Sequence, residues 1–385
     1  MSVFCTPVSR KTLINQEIKM VDFGVFFLLY LFVINFTNQR RIYMKGSAWL
    51  KAFVFLFALS LCIASVPAYA QQKAITMNFS NFFGAAHKNS ILADQWCKEV
   101  EKRTNGRIKF TYYPGATLTP AAQTYDSVMK GIADVGESVL GYTSGRFPLM
   151  EIIDLPLGYK SGYVATKMIN EFYKKFQPKE LDGVKIMWLH AHGPGILFTK
   201  NKAVNKLEDL KGLKIRATGF SAKTAAALGA APVAMPQTES YDALRTGVVE
   251  GILNPMEAMK GWKIAEVVKY CTEDYGTAYT TSFFVVMNKA KWNSLPKDIQ
   301  DIIEKINVEW IEKQGKLWDE IDQEGREYMK QRGNQFITLS KEEEARWIEK
   351  VKPVITDQVK PINAKGLPGD AALKFCQDYL KANQK

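Results

Sequence analysis

Three histidines, one arginine inside an apolar strand and a lone glutamate, Glu137, are the residues whose types and spacing could do chemistry. His190-Ala191-His192 puts two imidazoles two positions apart. On a strand, residues i and i+2 share a face, so both rings could turn the same way and hold a metal. No third ligand is evident nearby, so a metal is the weakest reading of the pair. Hydrogen bonding in a cleft and a structural role are both better supported. With His87 these are the chain's three histidines, and any nucleophilic triad would need one of them as its base. No G-x-S-x-G motif supplies the nucleophile. Gly193-Pro194-Gly195 is not a phosphate loop: no Lys-Ser/Thr follows, and Pro194 lacks a backbone donor. Glu99 and Glu101 fall on a helical pattern and are expected to face solvent.

Arg216 is different. In "GLKIRATG" (Gly212–Gly219) it sits within a short apolar strand, Leu213–Ala217, where an unpaired charge is expensive. Two partners could offset that cost. One is an internal carboxylate. The other is a bound anion, whose carboxylate matches the rigid fork of the guanidinium. The pattern alone leaves both open.

The elements that must position these residues follow from hydrophobic period and turn signals. Ile75–Phe79 is predicted as a strand, Asn81–Gly84 as a loop, and His87–Arg103 as a helix with Ile91, Trp96 and Val100 inward. Ile108–Tyr113 is a strand, Thr119–Gly131 a helix and Ala133–Gly136 a short buried strand. Val184–His190 is a strand, and Ile196–Thr199 crosses into a second lobe. There the grammar restarts: strand Leu213–Ala217, helix Ser221–Leu228, strand Ala231–Met235, helix Thr238–Thr246 and strand Val248–Asn254. Ser282–Asn288 is expected to run back into the first lobe. Pro296–Arg332 keeps a helical period without an internal proline, which gives about 50 Å of helix, enough to brace both lobes. Further helices are expected near Lys341–Val351, with Glu342–Glu344 as an exposed first turn, and near Asp370–Ala382.

The chain has 385 residues, and its first 70 stand apart. A basic stretch from Met44 to Lys51, twelve apolar residues (Ala52–Ile63) and Ala68-Tyr69-Ala70 make a secretory leader with cleavage expected after Ala70. Residues 1–43, which include the apolar run Phe23–Phe36, read as an over-extended start outside the fold. Seven of the 51 basic and two of the 39 acidic residues fall in the first 70 positions, so the remainder carries 44 and 37, net +7. Those charges are interspersed, which argues against a nucleic-acid footprint and favours a mildly basic surface. Cys97, Cys271 and Cys376 are widely spaced and read as small buried hydrophobes.

Three linked stretches, "YYPGATLT" (Tyr112–Thr119), "DLKGLKIRATG" (Asp209–Gly219) and "ALGAAPVAMPQTESYDALRTGVVEGILNP" (Ala227–Pro255), resemble the solute-binding proteins of tripartite ATP-independent periplasmic (TRAP) transporters. "GIADVGESVLGYTSGRFPLMEIIDLP" (Gly131–Pro156) supports the likeness. The resemblance implies an α/β fold: a two-lobe periplasmic-binding-protein clamshell with crossing strands and a long helix bracing both lobes. Lobe 1 would take residues 71–195 with a return segment at about 282–320. Lobe 2 would take 196–281 with part of the C-terminal segment 321–385. It also implies a periplasmic receptor, not an enzyme, needing no cofactor or metal. Its partners would be a small organic acid and the small and large membrane permease subunits, with no nucleic acid, and a monomer is expected.

In that family the arginine of "GLKIR" holds the ligand carboxylate and the asparagine before proline contacts the same ligand; here these are Arg216 and Asn254. Members that take sialic acid carry a second arginine on the crossing strand, at the position of Ile196, and an aromatic near the position of Gln237. Both departures point to a smaller or more apolar acid: a hydroxy, keto or aromatic monocarboxylate first, a C4-dicarboxylate second. Phe82, Phe83, Tyr142, Trp188 and Tyr279 are candidates for an aromatic wall, and His87, Glu137, His190 and His192 for hydroxyl, keto or amino groups. Two alternatives stand beside this reading. One is a secreted two-domain transferase or lyase with acid–base groups drawn from Glu137 and the histidines. The other is the receptor of an ATP-driven transporter.

Overall fold

The computed structural model describes residues 73–384. The expected leader, the residues before Met44 and the cleavage position after Ala70 lie outside them. The first sheet is built from β1 (Ile75–Asn81), β2 (Ile108–Tyr113), β3 (Val135–Val139) and β4 (Val184–Ala191). β1 lies between β2 and β3 and runs parallel to both, as strands joined by helical crossovers do. The chain then makes a second sheet from β5 (Gly195–Thr199), β6 (Lys214–Ala217), β7 (Ala231–Ala234), β8 (Gly251–Pro255) and β9 (Tyr270–Glu273). β10 (Ser282–Asn288) returns to the first sheet, antiparallel between β3 and β4. β11 (Gln335–Thr338) joins the second sheet beside β9. β10 is buried along nearly its whole length, which is why its sequence reads as a continuous apolar run instead of an alternation.

The chain therefore crosses between sheets three times, at 192–194, at 279–281 and between β10 and β11, and the first two crossings are tied to each other. Gly195 N–H donates to Tyr279 O at 2.7 Å, and Thr280 Oγ1 donates to His192 O at 2.6 Å. The closeness needs a glycine, because a Cβ on Gly195 would lie 2.3 Å from the Tyr279 ring.

Seven helices of nine residues or more occur among the described residues: α1 (Lys88–Arg103), α2 (Gly162–Phe176), α3 (Gly219–Ala227), α4 (Gln237–Thr246), α5 (Lys297–Gln331), α6 (Lys341–Ala364) and α7 (Gly369–Asn383). In α1 the inner residues are Leu92, Ala93, Trp96, Cys97 and Val100. Ile91, expected inside, is 44% exposed; it lies five residues before Trp96 and so about 140° round the helix. The predicted helix Thr119–Gly131 contracts to a 3-10 turn, Ala121–Gln123, and one helical segment, Thr124–Met129. α6 continues past its expected end at Val351 with Pro353 and Pro361 inside it. Each proline forfeits one helical hydrogen bond. Packing compensates: Trp347 and Val351 pack against the second sheet, while Ile362 reaches the core that holds α2 and α7. Glu343, expected on the exposed first turn, is buried and accepts from Leu207 N at 2.6 Å and Trp347 Nε1 at 3.1 Å. Cys97, Cys271 and Cys376 are buried free thiols.

α5 belongs to both halves of the molecule. Ile299, Ile303, Ile306 and Trp310 join Met77, Phe79 and Trp96 in the first core. Trp318 and Ile321 pack with Phe82, Phe83 and Phe283 between the sheets. Met329 joins Phe198 and Ile252 in the second core. Gly325 lets the helix touch the chain just beyond β8: a Cβ there would be 2.0 Å from Met256 O. This contact sets propensity against packing. Helix propensity alone predicts that Gly325→Ala stabilises by about 1 kcal/mol. The clash with backbone predicts a net loss of about 1–3 kcal/mol, as for overpacking elsewhere. Urea unfolding of the variant decides the sign, and a gain in stability would contradict the packing described.

Candidate functional site

β6 lies between β7 and β8 and runs parallel to both, with Arg216 opposite Val233 on one side and Ile252 on the other. Just past those partners, β7 leads to Met235 and β8 ends on Asn254-Pro255. The carboxyl ends of parallel strands thus bring Arg216, Met235 and Asn254 together, in the crevice position where α/β sheets bind ligands. Arg216 is 4% exposed. Its Nε and Nη2 donate to Met235 O at 3.1 and 2.9 Å, and its Nη1 donates to Asn254 Oδ1 at 3.1 Å. All of these partners are neutral, and no carboxylate among the described residues ion-pairs with Arg216.

Two more donors converge here. With Asn254 Oδ1 occupied by Arg216, its amide nitrogen points elsewhere, and Asn254 Nδ2 is buried without a partner. α4 begins at Gln237, whose Oε1 accepts from Ser240 Oγ at 3.4 Å and whose Nε2 is also buried and unpartnered. Orphaned buried donors are rare and costly. Two of them beside an un-neutralised arginine make a place for an acceptor with more than one oxygen.

The walls are aromatic. Phe82, from the turn after β1, stacks on Trp262 at 5.9 Å and on Phe283 of β10 at 6.2 Å. Trp318 of α5 closes the floor, 5.3 Å from Phe283. Phe83, Tyr142, His192 and Tyr279 complete the lining with Arg216, Gln237 and Asn254. Tyr142 also ties one half to the other by accepting from Gln237 N at 3.0 Å. The inner cavity is small, about 40 Å³, beside a larger vestibule of about 480 Å³. Glu257 and Trp262 border both.

His192 lies within 2.5 Å of Gly193 O through Nδ1 and 3.0 Å from Thr281 Oγ1 through Nε2. A carbonyl only accepts, so Nδ1 carries the proton and Nε2 accepts from Thr281. Burial, reinforced by the Arg216 charge, pushes the His192 pKa down to about 4. His87 caps α1, its Nδ1 accepting from Asn89 N at 3.2 Å. Its Nε2 therefore holds the proton and donates to Glu257 Oε1 at 2.5 Å. His87 borders the vestibule and not the inner cavity.

Four of the expected site residues stand outside the lining. His190 lies one layer back, its ring stacked on Phe283 at 4.7 Å and its Nδ1 accepting from Trp318 Nε1 at 3.1 Å. Its Nε2 meets Glu137 Oε1 at 3.2 Å. Burial pushes Glu137 well above the usual carboxylate range and His190 well below the imidazole range, which makes them a neutral pair holding the floor. Trp188 is core, packed on Trp96 at 5.5 Å. Ile196 lies in the second core with Phe198. β4 ends at Ala191, so His190 and His192 have separate partners. No group of three or more His, Cys, Asp or Glu among the described residues could hold a metal.

Glu257, Trp262, Thr281, Phe283 and Trp318 line the cavity although their sequence context did not single them out. The one signal available was that Phe283 lies in the strand predicted to return to the first lobe.

Comparison with known proteins agrees with this architecture. The model of the bacterial extracellular solute-binding protein family 7 matches residues 79–361. The C4-dicarboxylate-binding periplasmic protein DctP of Rhodobacter capsulatus is 30% identical over 325 residues, 82% of this chain and 95% of the relative. A TRAP solute-binding protein of Rhodoferax ferrireducens, solved with copurified benzoate, superposes with a TM-score of 0.76 at 28% identity, covering 80% of this chain and 98% of that one. A marine-metagenome TRAP protein specific for aromatic acids, solved with 3-hydroxybenzoate, gives a TM-score of 0.77 at 30% identity over 81% and 99%. These relatives bind substrates for transport and are not enzymes. The chain belongs to bacterial extracellular solute-binding protein family 7, as a periplasmic solute-binding protein of a TRAP transporter.

Proposed function

We propose that this receptor binds a small organic monocarboxylate, aromatic or bearing a hydroxyl or keto group, with the carboxylate on Arg216. The observation that carries the reading is a buried guanidinium without a carboxylate partner, flanked by the unpartnered amides of Asn254 and Gln237. Aromatic walls suit a flat or apolar body, and the small cavity favours a compact one. The benzoate and 3-hydroxybenzoate held by the two structural relatives support an aromatic acid. The name of the Rhodobacter relative keeps a C4-dicarboxylate as the second reading.

In this proposal the two lobes, 71–195 with 282–320 and 196–281 with part of 321–385, hinge about the tied crossings. The closed monomer passes its ligand to the small and large permease subunits. Export would follow cleavage after Ala70.

Calorimetry tests the anchor. Arg216→Ala should cost about 2–5 kcal/mol of binding to benzoate or 3-hydroxybenzoate, the range for losing one partner of a buried charged pair. Arg216→Lys should recover only part of it, because an ammonium cannot reproduce the fork. Unchanged affinity in Arg216→Ala rejects the assignment.

A second expectation concerns His192. A neutral ring leaves Arg216 as the cationic partner for the carboxylate. Its NMR titration should show no protonation until the pH nears 4. The unfolded chain takes that proton near 6.5, so His192 contributes stability above that pH that is lost as the pH falls from about 6.5 towards about 4. A midpoint near 6.5 in the folded protein would contradict the burial argument.

A further inference from the structure

The polar groups of the cavity include donors, acceptors and the hydroxyls of Tyr142, Thr218 and Tyr279, which can act as either. The donors at Arg216 are the guanidinium, Asn254 Nδ2 and Gln237 Nε2. Elsewhere in the lining two groups can only accept. Thr281 has committed its hydroxyl proton to His192 Nε2, so its oxygen offers lone pairs alone. Glu257 is the other. It is 3% exposed and borders both cavity and vestibule. One of its oxygens accepts from His87, and the second makes no hydrogen bond among the described residues. Its backbone N–H is tied to Asp322 Oδ1 at 2.7 Å, which fixes where the side chain starts. The Asp322 carboxyl is held well above its usual range, chiefly by burial and in part by the charge on Glu257.

We infer that Glu257 reads the end of the ligand remote from its carboxylate, admitting a hydrogen-bond donor such as a hydroxyl and rejecting a second carboxylate. The inference rests on Arg216 holding the first carboxylate. With that group fixed, the rest of a compact ligand fills a cavity whose other charged lining side chain is the carboxylate of Glu257. A hydroxyl there donates to Glu257 or Thr281. A second carboxylate meets the like charge of Glu257, and like charges repel more strongly in a partly desolvated site than in bulk water.

Two ligand series test this by calorimetry: benzoate, 3-hydroxybenzoate and isophthalate, and butyrate, 4-hydroxybutyrate and succinate. The wild-type protein should bind the hydroxy acid at least tenfold more tightly than the parent in the series it accepts, and the dicarboxylate at least tenfold more weakly. Glu257→Gln keeps the shape, removes the charge and adds a donor. In that variant the dicarboxylate should gain at least tenfold relative to the parent, and the hydroxyl advantage should shrink.

The His87–Glu257 pair also joins the two walls, so Glu257→Gln could weaken every ligand. Ratios within one variant cancel that effect. His87→Gln retains the carboxylate and should preserve the ratios even if all affinities fall. A dicarboxylate that binds wild type as tightly as its hydroxy acid, or ratios unchanged in Glu257→Gln, would overturn the inference while leaving the Arg216 anchor standing. Should Glu257→Gln not fold, the wild-type ratios alone decide. Binding of neither series, or binding indifferent to Arg216→Ala, would remove the anchor itself and this inference with it.

Discussion

A buried guanidinium with only neutral partners is the constraint around which the second sheet is arranged. Arg216 reaches the cleft because β6 is short and lies between β7, which ends level with it, and β8, which runs two residues further. β7 supplies the Met235 carbonyl and β8 supplies the Asn254 amide. These three bonds hold the side chain and leave its charge unmatched, since a carbonyl and an amide oxygen neutralise nothing. An internal carboxylate would have paired the charge and closed the site. Of the two partners that the apolar strand left open, the internal carboxylate is not found among the described residues that hydrogen-bond to Arg216.

The same economy governs how the two sheets meet. The chain crosses three times, and Gly195, Tyr279, His192 and Thr280 hydrogen-bond the first two crossings to one another. α5 lies along both cores and puts Trp318 and Ile321 beneath the cleft. The floor residues therefore come from elements fixed in both halves, whereas Arg216, Asn254 and Gln237 all come from the second sheet side. Contacts between the halves near the ligand are few and specific: His87 with Glu257, Tyr142 with the amide of Gln237, and Phe82 with Trp262. Apart from His87, which borders the vestibule, these residues line the cavity, so the groups that join the halves also shape it.

The sequence carried the architecture well where one signal dominated. β10, α1 and α5 were legible from apolar runs and period, and Arg216 from a charge in an apolar strand. Asn254 and Gln237 came from the family likeness and lie beside it. The failures have physical causes. α2 was missed although Ser161 caps it by accepting from Val164 N at 3.2 Å and Ala165, Met168, Ile169 and Phe172 mark its buried face; the period was present and went unread. β9 and β11 are four residues each, too short for a pattern. α6 outlasts two prolines because tertiary packing overrides propensity. Four of the five aromatic candidates line the cavity and Trp188 does not, because composition cannot say which side of a sheet an aromatic faces. Trp188 turns to Trp96 in the core, while Trp262 and Trp318 turn to the cleft.

Burial explains why so polar a site can still have a simple field. Glu137 and His190 are both pushed toward their neutral forms, and His192 is held neutral down to about pH 4. Asp154, which accepts from Ser282 N and Oγ at 2.8 and 2.6 Å beside the returning strand, is raised to about 8. Desolvation thus removes the charge from the layer behind the aromatic wall, at the cost of burying polar groups that must be hydrogen-bonded to one another. Among the described lining residues the charged types left are Arg216 and Glu257. The cavity itself thus holds one positive and one negative side chain, while the vestibule beyond Glu257 also carries Lys88, Lys260 and Lys263. Charges act more strongly in a partly desolvated site than in water, so the field inside the cavity follows from which side chains the fold keeps neutral.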